Sequence, residues 1–291
     1  MEVGLLLLVG GIAAGAFGSL LGLGGGLLIV PLLTIGFGLP LREAVGVSLV
    51  CVIVTSSASA GVYLQRRQAN LRLGMVLELF TGIGAVLGGA IAFLVDERLL
   101  AGLFTAILGY MAFSMLRGAR RSGPTPSTET AHATDDELLH AELEGEAEPD
   151  DDARTVDPDA GSLGLRPAGA ARMPLAATAS IGAGVASALL GIGGGLVKVP
   201  VMHLVLGVPL RIATATSNLM VGITASTSAI VYLLRGGVDA YAAGPTAVGV
   251  FIGASLGSRL GHRVNLPYLR LLFVAVLLYT AFEMARRALG V

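Results

Sequence analysis

The chain has 291 residues, 54% of them apolar and 13% charged, with a mean hydropathy of +0.80. Soluble domains carry about 25% charged residues and leave much of their surface wet, so a water-soluble enzyme is excluded and the bulk of this chain belongs in lipid. The net charge of −1 hides a segregation: residues 122–171 hold thirteen of the twenty acids but two of the nineteen bases, which leaves a body of seven acids and seventeen bases.

Crossing a bilayer takes about 20 apolar residues. The first apolar run, 3–38, is too long for one ordinary span. Its residues 5–9 resemble the core of a signal peptide, but no Lys or Arg precedes them and the run continues past residue 30, so it reads as a first membrane segment. Runs at 44–64, 73–95 and 99–116 follow. Residues 122–172 are rich in Asp, Glu, Ala, Pro and Thr; they cannot bury enough surface to offset their ordering entropy and are predicted to be disordered. Runs at 173–207, 213–233, 242–260 and 268–284 complete the chain.

The two halves are copies. With Pro31 laid on Pro200, 169 residues on, Gly22, Gly24, Gly25 and Gly26 meet Gly191, Gly193, Gly194 and Gly195. At the same offset Pro40 and Arg42 meet Pro209 and Arg211, Thr55 and Tyr63 meet Thr224 and Tyr232, and Tyr110 and Arg117 meet Tyr279 and Arg286. Shared Leu/Ala/Gly composition does not account for coincident Pro, Arg, Tyr and Thr. The predicted fold is an all-α polytopic membrane protein with two homologous repeats of about four transmembrane segments, the first of each broken at its Gly-rich motif. The predicted organisation is a first membrane repeat, 1–121, an acidic disordered linker, 122–172, and a second membrane repeat, 173–291. With four crossings per half, Arg placement favours both termini and the linker on the cytoplasmic side of the cell membrane; if each long first segment crosses twice, each half has five crossings and the repeats are inverted.

The glycine clusters carry the chemistry. Each Gly in a helix interior costs about 1 kcal/mol relative to Ala, so Gly24–Gly26 and Gly193–Gly195 should unwind their segments. Irregular backbone at membrane depth is tolerated where it is buried in protein or lines a polar cavity. A helix restarting after each break would place Pro31 and Pro200 in its first turn, where a missing N–H costs nothing, and would aim free amides and a positive dipole end at the break. Side-chain-free glycine lets an anion approach those amides. Tight helix crossing is the alternative use of such glycines. It fits the four-residue series Gly249, Gly253, Gly257 and Gly261 better than three consecutive glycines.

Lys198, the one lysine of the chain, lies inside the second motif, and its repeat mate is Ile29. A charge in an apolar segment is a functional candidate, here as the counter-charge of an anion; snorkelling to the interface is the competing reading. Ser48 and Thr55, like Ser217 and Thr224, are seven apart and so share a helix face. With Asn218 they supply uncharged donors to an oxyanion, although back-bonding to the i−4 carbonyl takes several such hydroxyls. Glu78 is a candidate for carrying a coupling proton if it is buried. Its six-residue distance from Arg72 argues instead for headgroup level.

Gly253, Ser255 and Gly257 match a hydrolase nucleophile-elbow pattern that needs a strand–turn–helix; here the stretch is helical. Cys51 stands alone and His132, His140, His203 and His262 lack metal-pair spacing, so no catalytic residue, metal or cofactor is expected. No basic face is interleaved with aromatics, so nucleic acid is not a partner; the partners expected are a small anionic substrate and the lipid bilayer.

Gly-x-Gly-Gly-Gly-x-x-x-Val-Pro in each half, followed by the Gly-Val-Pro-Leu-Arg-Ile-Ala-Thr-Ala-Thr-Ser-Asn stretch at 207–218, resembles the TauE/SafE sulfite exporter family, also called toluene sulfonate uptake permeases. The resemblance spans both halves and implies a permease for sulfite, sulfonates or related organosulfur anions. The linker is not part of that pattern, and Ser48 with Leu49 stands where Ser217 with Asn218 does. An anion channel, or a membrane scaffold acting through its linker, remains the alternative.

Overall fold

The computed structural model describes residues 2–20, 26–65, 70–120, 172–260 and 266–289. Gly22, Gly24, Gly25, Gly261 and the linker through residue 171 lie outside the described residues. Among the described residues all regular structure is helical. The first half comprises α1 (Glu2–Leu20), α2 (Gly26–Pro31) running into a π-helical turn (Leu32–Gly36), α3 (Leu41–Gln65), α4 (Leu71–Ala92) and α5 (Glu97–Arg120). The second comprises α6 (Met173–Leu190), α7 (Gly195–Pro200) with its own π-helical turn (Val201–Val205), α8 (Leu210–Leu234), α9 (Ala240–Leu260) and α10 (Leu266–Leu289).

Helices are the forced solution for such a sequence, because hydrocarbon offers backbone amides and carbonyls no partner. By length and composition α4, α6 and the segments Thr216–Leu234 of α8 and Ala240–Gly257 of α9 can each cross a membrane. Polarity is distributed inside out. Leu5, Met75, Leu79, Phe113, Leu233 and Phe282 face outward, while Ser48, Glu78, Thr81, Lys198, Ser217 and Thr224 are buried. Water would reverse that arrangement; lipid stabilises it. The chain is a polytopic membrane protein.

The principal helix contacts run between the halves: α1 on α9, α4 on α6 and α8, α3 on α8 and α9, and α5 on α10. Glycine sets the closest approaches. Gly249 and Gly253 of α9 lie against the carbonyls of Leu8 and Ile12 in α1, and Gly84 of α4 and Gly184 of α6 lie against the carbonyls of Ile181 and Thr81. A methyl group at any of these positions would collide with backbone. The described members of the four-residue glycine series, Gly249, Gly253 and Gly257, therefore serve helix packing.

Two polar devices fix α4, the helix that carries Glu78. At its start the Asn70 side chain accepts from Leu73 N–H (3.1 Å), while Asn70 N–H donates to Thr216 Oγ1 of α8 (2.9 Å). At its end Arg42 of α3 donates to the carbonyls of Ala92 (3.1 Å) and Val95 (2.5 Å), a cation at the negative end of the helix dipole. Tyr232 of α8 donates to Ala188 O (2.9 Å) and tilts its ring against Phe93, which joins α8 to α6 and to the end of α4.

Candidate functional site

At the second Gly-rich motif one helix ends and a short one begins. Helix α6 ends at Gly191, whose left-handed φ of +67° lets its N–H close back on Ser187 O (2.8 Å). Gly193 (φ +80°) and Gly194 (φ +78°) are left-handed too, a conformation that costs other residues about 1–2 kcal/mol. Helix α7 then restarts at Gly195.

The prolines depart from expectation. Pro31 and Pro200 close α2 and α7 as their sixth residues rather than entering the first turn. Each leads into a π-helical turn. A proline within a helix cannot donate to the i−4 carbonyl, and the wider turn that follows is the kind of local readjustment associated with functional helix interruptions.

The described parts of the two motifs meet. The Ser48 hydroxyl on α3 lies between Gly26 O (3.1 Å) and Gly191 O (2.9 Å). A Cβ on Gly26 would stand 2.9 Å from Gly191 O. Gly193 packs against Val52 and Val221, so α3 and α8 enclose the break from both halves.

Two hydroxyls at the break have no partner. Ser187 of α6 lies beside Gly194, and Ser217 of α8 lies 3.5 Å from where a Cβ on Gly195 would be. Both are buried, at 1% and 2% exposure. Several other hydroxyls bond the i−4 carbonyl, Thr34 to Val30, Thr55 to Cys51, Thr81 to Leu77 and Ser180 to Ala176, while Ser228 of α8 and Thr246 of α9 are buried and unpartnered as well; Ser187 and Ser217 are the two that lie against the glycines of the break. Ser217 was legible in the sequence. Ser187 was missed, although its repeat position holds Gly18, a difference that marks it.

The structure brings the two charges together inside the bundle. Lys198 does not reach out to the surface and Glu78 is not exposed: they are 1% and 6% exposed and form an ion pair, Nζ to Oε2 at 2.6 Å. Thr224 closes the ring. It accepts from Lys198 Nζ (2.5 Å) and donates to Glu78 Oε1 (2.5 Å). Burial of a pair is tolerated when such additional hydrogen bonds satisfy the remaining donors and lone pairs. At the 169-residue offset of the sequence comparison, Ile29 and Ala247 stand at the positions corresponding to Lys198 and Glu78, so the other half of the sequence carries no such pair there. Thr55, the mate of Thr224, bonds its own helix. Asn218 is half-buried and its backbone carbonyl accepts from Ser56 (2.6 Å).

The chain is 24% identical over 273 residues to the probable membrane transporter protein YunE of Bacillus subtilis, an alignment covering 89% of each. It is 29% identical over 258 residues to a probable membrane transporter protein of Xylella fastidiosa, with 88% of this chain and 84% of the relative covered. It is also 29% identical to the probable membrane transporter protein MamO of Paramagnetospirillum magneticum, covering 97% of this chain but 44% of that longer protein. No solved structure matches it. The family described as Sulfite exporter TauE/SafE matches residues 7–284, across the helix break, the buried ion pair and both halves, and the chain belongs to that family of membrane transporters.

Proposed function

We propose that this chain is a permease for a small anion of the sulfite or organosulfonate class, bound at the break between α6 and α7 and exported. The observation that carries the proposal is the pair of buried, unpartnered hydroxyls, Ser187 and Ser217, on either side of the left-handed Gly193–Gly194 turn. A buried polar group left unsatisfied costs about 1–3 kcal/mol. An oxyanion would satisfy both, and the glycines keep side chains out of its way. Lys198, three residues beyond Gly195, supplies the positive charge, with Thr224 beside it.

The repeat accounts for the shape of this site. When the halves are exchanged, the contact of α1 on α9 becomes that of α6 on α4, α3 on α9 becomes α8 on α4, and the α3–α8 and α5–α10 contacts map onto themselves. The first half then contributes Gly26, continuous with Gly24 and Gly25 outside the described residues, as an uncharged half-site that Ser48 braces and beside which Thr55 bonds its own helix, and the second contributes Ser217, Asn218, Thr224 and the charge. Gly22, Pro31, Gly191 and Pro200 delimit the breaks. In this reading the division at 122–172 separates the repeats, and the termini and linker face the cytoplasm of a cell-membrane protein. An inside-negative potential favours export of an uncompensated anion by about 2.3 kcal/mol per charge per 100 mV.

The test is flux of sulfite, thiosulfate and methanesulfonate in proteoliposomes. Wild type should show saturable uptake and counterflow of at least one of them. Lys198→Ala should lose both, and the double variant Ser187→Ala, Ser217→Ala should require higher substrate concentrations. Equal uptake of every anion by all three proteins would overturn the site. Flux without counterflow would identify a channel.

A further inference from the structure

We infer that Glu78 is a resident stand-in for the transported anion: the anion that arrives at Lys198 displaces the Glu78 carboxylate, which leaves protonated, so one proton travels with each anion. The inference rests on the permease reading above. Its first support is the completeness of the charge pairing. Glu78 sits on α4, which packs on α6 and α8. Helix α6 contains no charged residue, and the charged residue of α8, Arg211, lies thirteen positions before Thr224. On α4 itself Arg72 is exposed and six positions away, and His203, five positions beyond Lys198, is exposed as well. Among the described residues of these elements, Lys198 is therefore the cation that faces Glu78. An anion added beside a charged Glu78 would put two negative charges against one positive charge, 1% exposed, and like charges in one site do not both stay ionised.

The second support is where the displaced side chain can go. Glu78 borders a groove of about 540 Å³ between α4 and α8, lined by Met75, Leu79, Ile83, Met220 and Ile223. An ionised carboxylate cannot enter apolar surroundings without a large desolvation cost, whereas a neutral carboxyl can. Displacement and proton uptake are thus one step. The hydrogen bonds from Lys198 Nζ and Thr224 Oγ1 to the carboxylate break. A proton from the aqueous side forms an O–H bond on Glu78, and the anion's oxygens accept from the freed Lys198 and Thr224 donors. Release reverses each event, and no other covalent bond changes. A monovalent anion then moves without net charge. A divalent oxyanion carries one net negative charge, which the inside-negative potential still drives outward.

The test uses full-length protein in vesicles containing a pH-sensitive dye, with methanesulfonate as a probe whose charge does not vary with pH. An inward methanesulfonate gradient should acidify the lumen by one proton per anion. An imposed pH gradient alone should concentrate the probe about tenfold per pH unit. Whatever methanesulfonate flux Glu78→Gln retains should move no protons, ignore the pH gradient and respond to imposed voltage. Wild-type flux without proton movement would overturn the inference while leaving the permease reading intact, and so would proton coupling that persists in Glu78→Gln. A wild-type protein that moves neither methanesulfonate, sulfite nor thiosulfate would overturn the permease reading itself. The wild-type stoichiometry decides the matter even if the variant fails to fold.

Discussion

Lys198→Met should expose the energetics of the buried pair. The substitution keeps an unbranched side chain of similar reach but removes the counter-charge from Glu78, whose side chain is 7% exposed. Breaking a buried pair by removing one partner costs about 3–5 kcal/mol. An upper limit comes from the alternative open to an orphaned carboxyl, which is to take a proton. From the reference carboxyl value of about 4.3, protonation at pH 7 costs about 3.7 kcal/mol at 1.36 kcal/mol per unit. For domains of 150–250 residues each kcal/mol shifts Tm by about 2–4 °C, so a fall of about 7–15 °C is expected. Thermal unfolding in mild detergent, followed by far-UV circular dichroism, measures it. The deficit should shrink as pH is lowered from 7 towards 5, because the proton then costs less. Replacing both partners, Lys198→Met with Glu78→Leu, should restore wild-type stability, since well-packed apolar groups substitute for a buried pair without loss. If the single variant melts with the wild type at pH 7, the two charges are solvated in a wet crevice and the reasoning fails.

Other substitutions separate structural roles from binding roles. Ser48→Ala removes a hydroxyl set between two carbonyls and should destabilise by about 1–3 kcal/mol, whereas Ser217→Ala removes an unpartnered one and should leave the melting temperature unchanged while raising the KM for flux. Gly184→Ala drives a methyl into the Thr81 carbonyl and should cost about 1–3 kcal/mol. Gly182→Ala, with nothing within 4 Å, should instead gain about 1 kcal/mol of helix propensity; thermal melts of the pair test both. Gly194→Ala should lose about 1–2 kcal/mol at its left-handed φ of +78°. Gly207→Asn, at φ +69° with open space around it, should be accepted, since Asn visits that region; the same melts compare them.

The sequence by itself determined the solvent and the backbone. Apolar runs with so little charge admit only lipid, lipid admits helices here, and consecutive glycines at 193–195 interrupt the helix wherever the segment is packed, because that preference is local. The four-residue glycine spacing likewise declared a packing face before its partner, α1, was known. Tertiary structure decided the rest. Glu78 and Lys198 are 120 residues apart, and no periodicity encodes their meeting; it depends on α4 lying against α6 and α8 through Gly84 and Gly184. Distance along the chain from Arg72 did not show that Glu78 is buried, because burial in a bundle follows from neighbouring helices rather than from the nearest charge in sequence. Ser187 and Ser217 became distinct from the other hydroxyls, including the equally unpartnered Ser228 and Thr246, only once packing had set them against Gly194 and Gly195. Local chemistry fixes where the chain can bend; packing between distant segments fixes which polar atoms are left to bind something else.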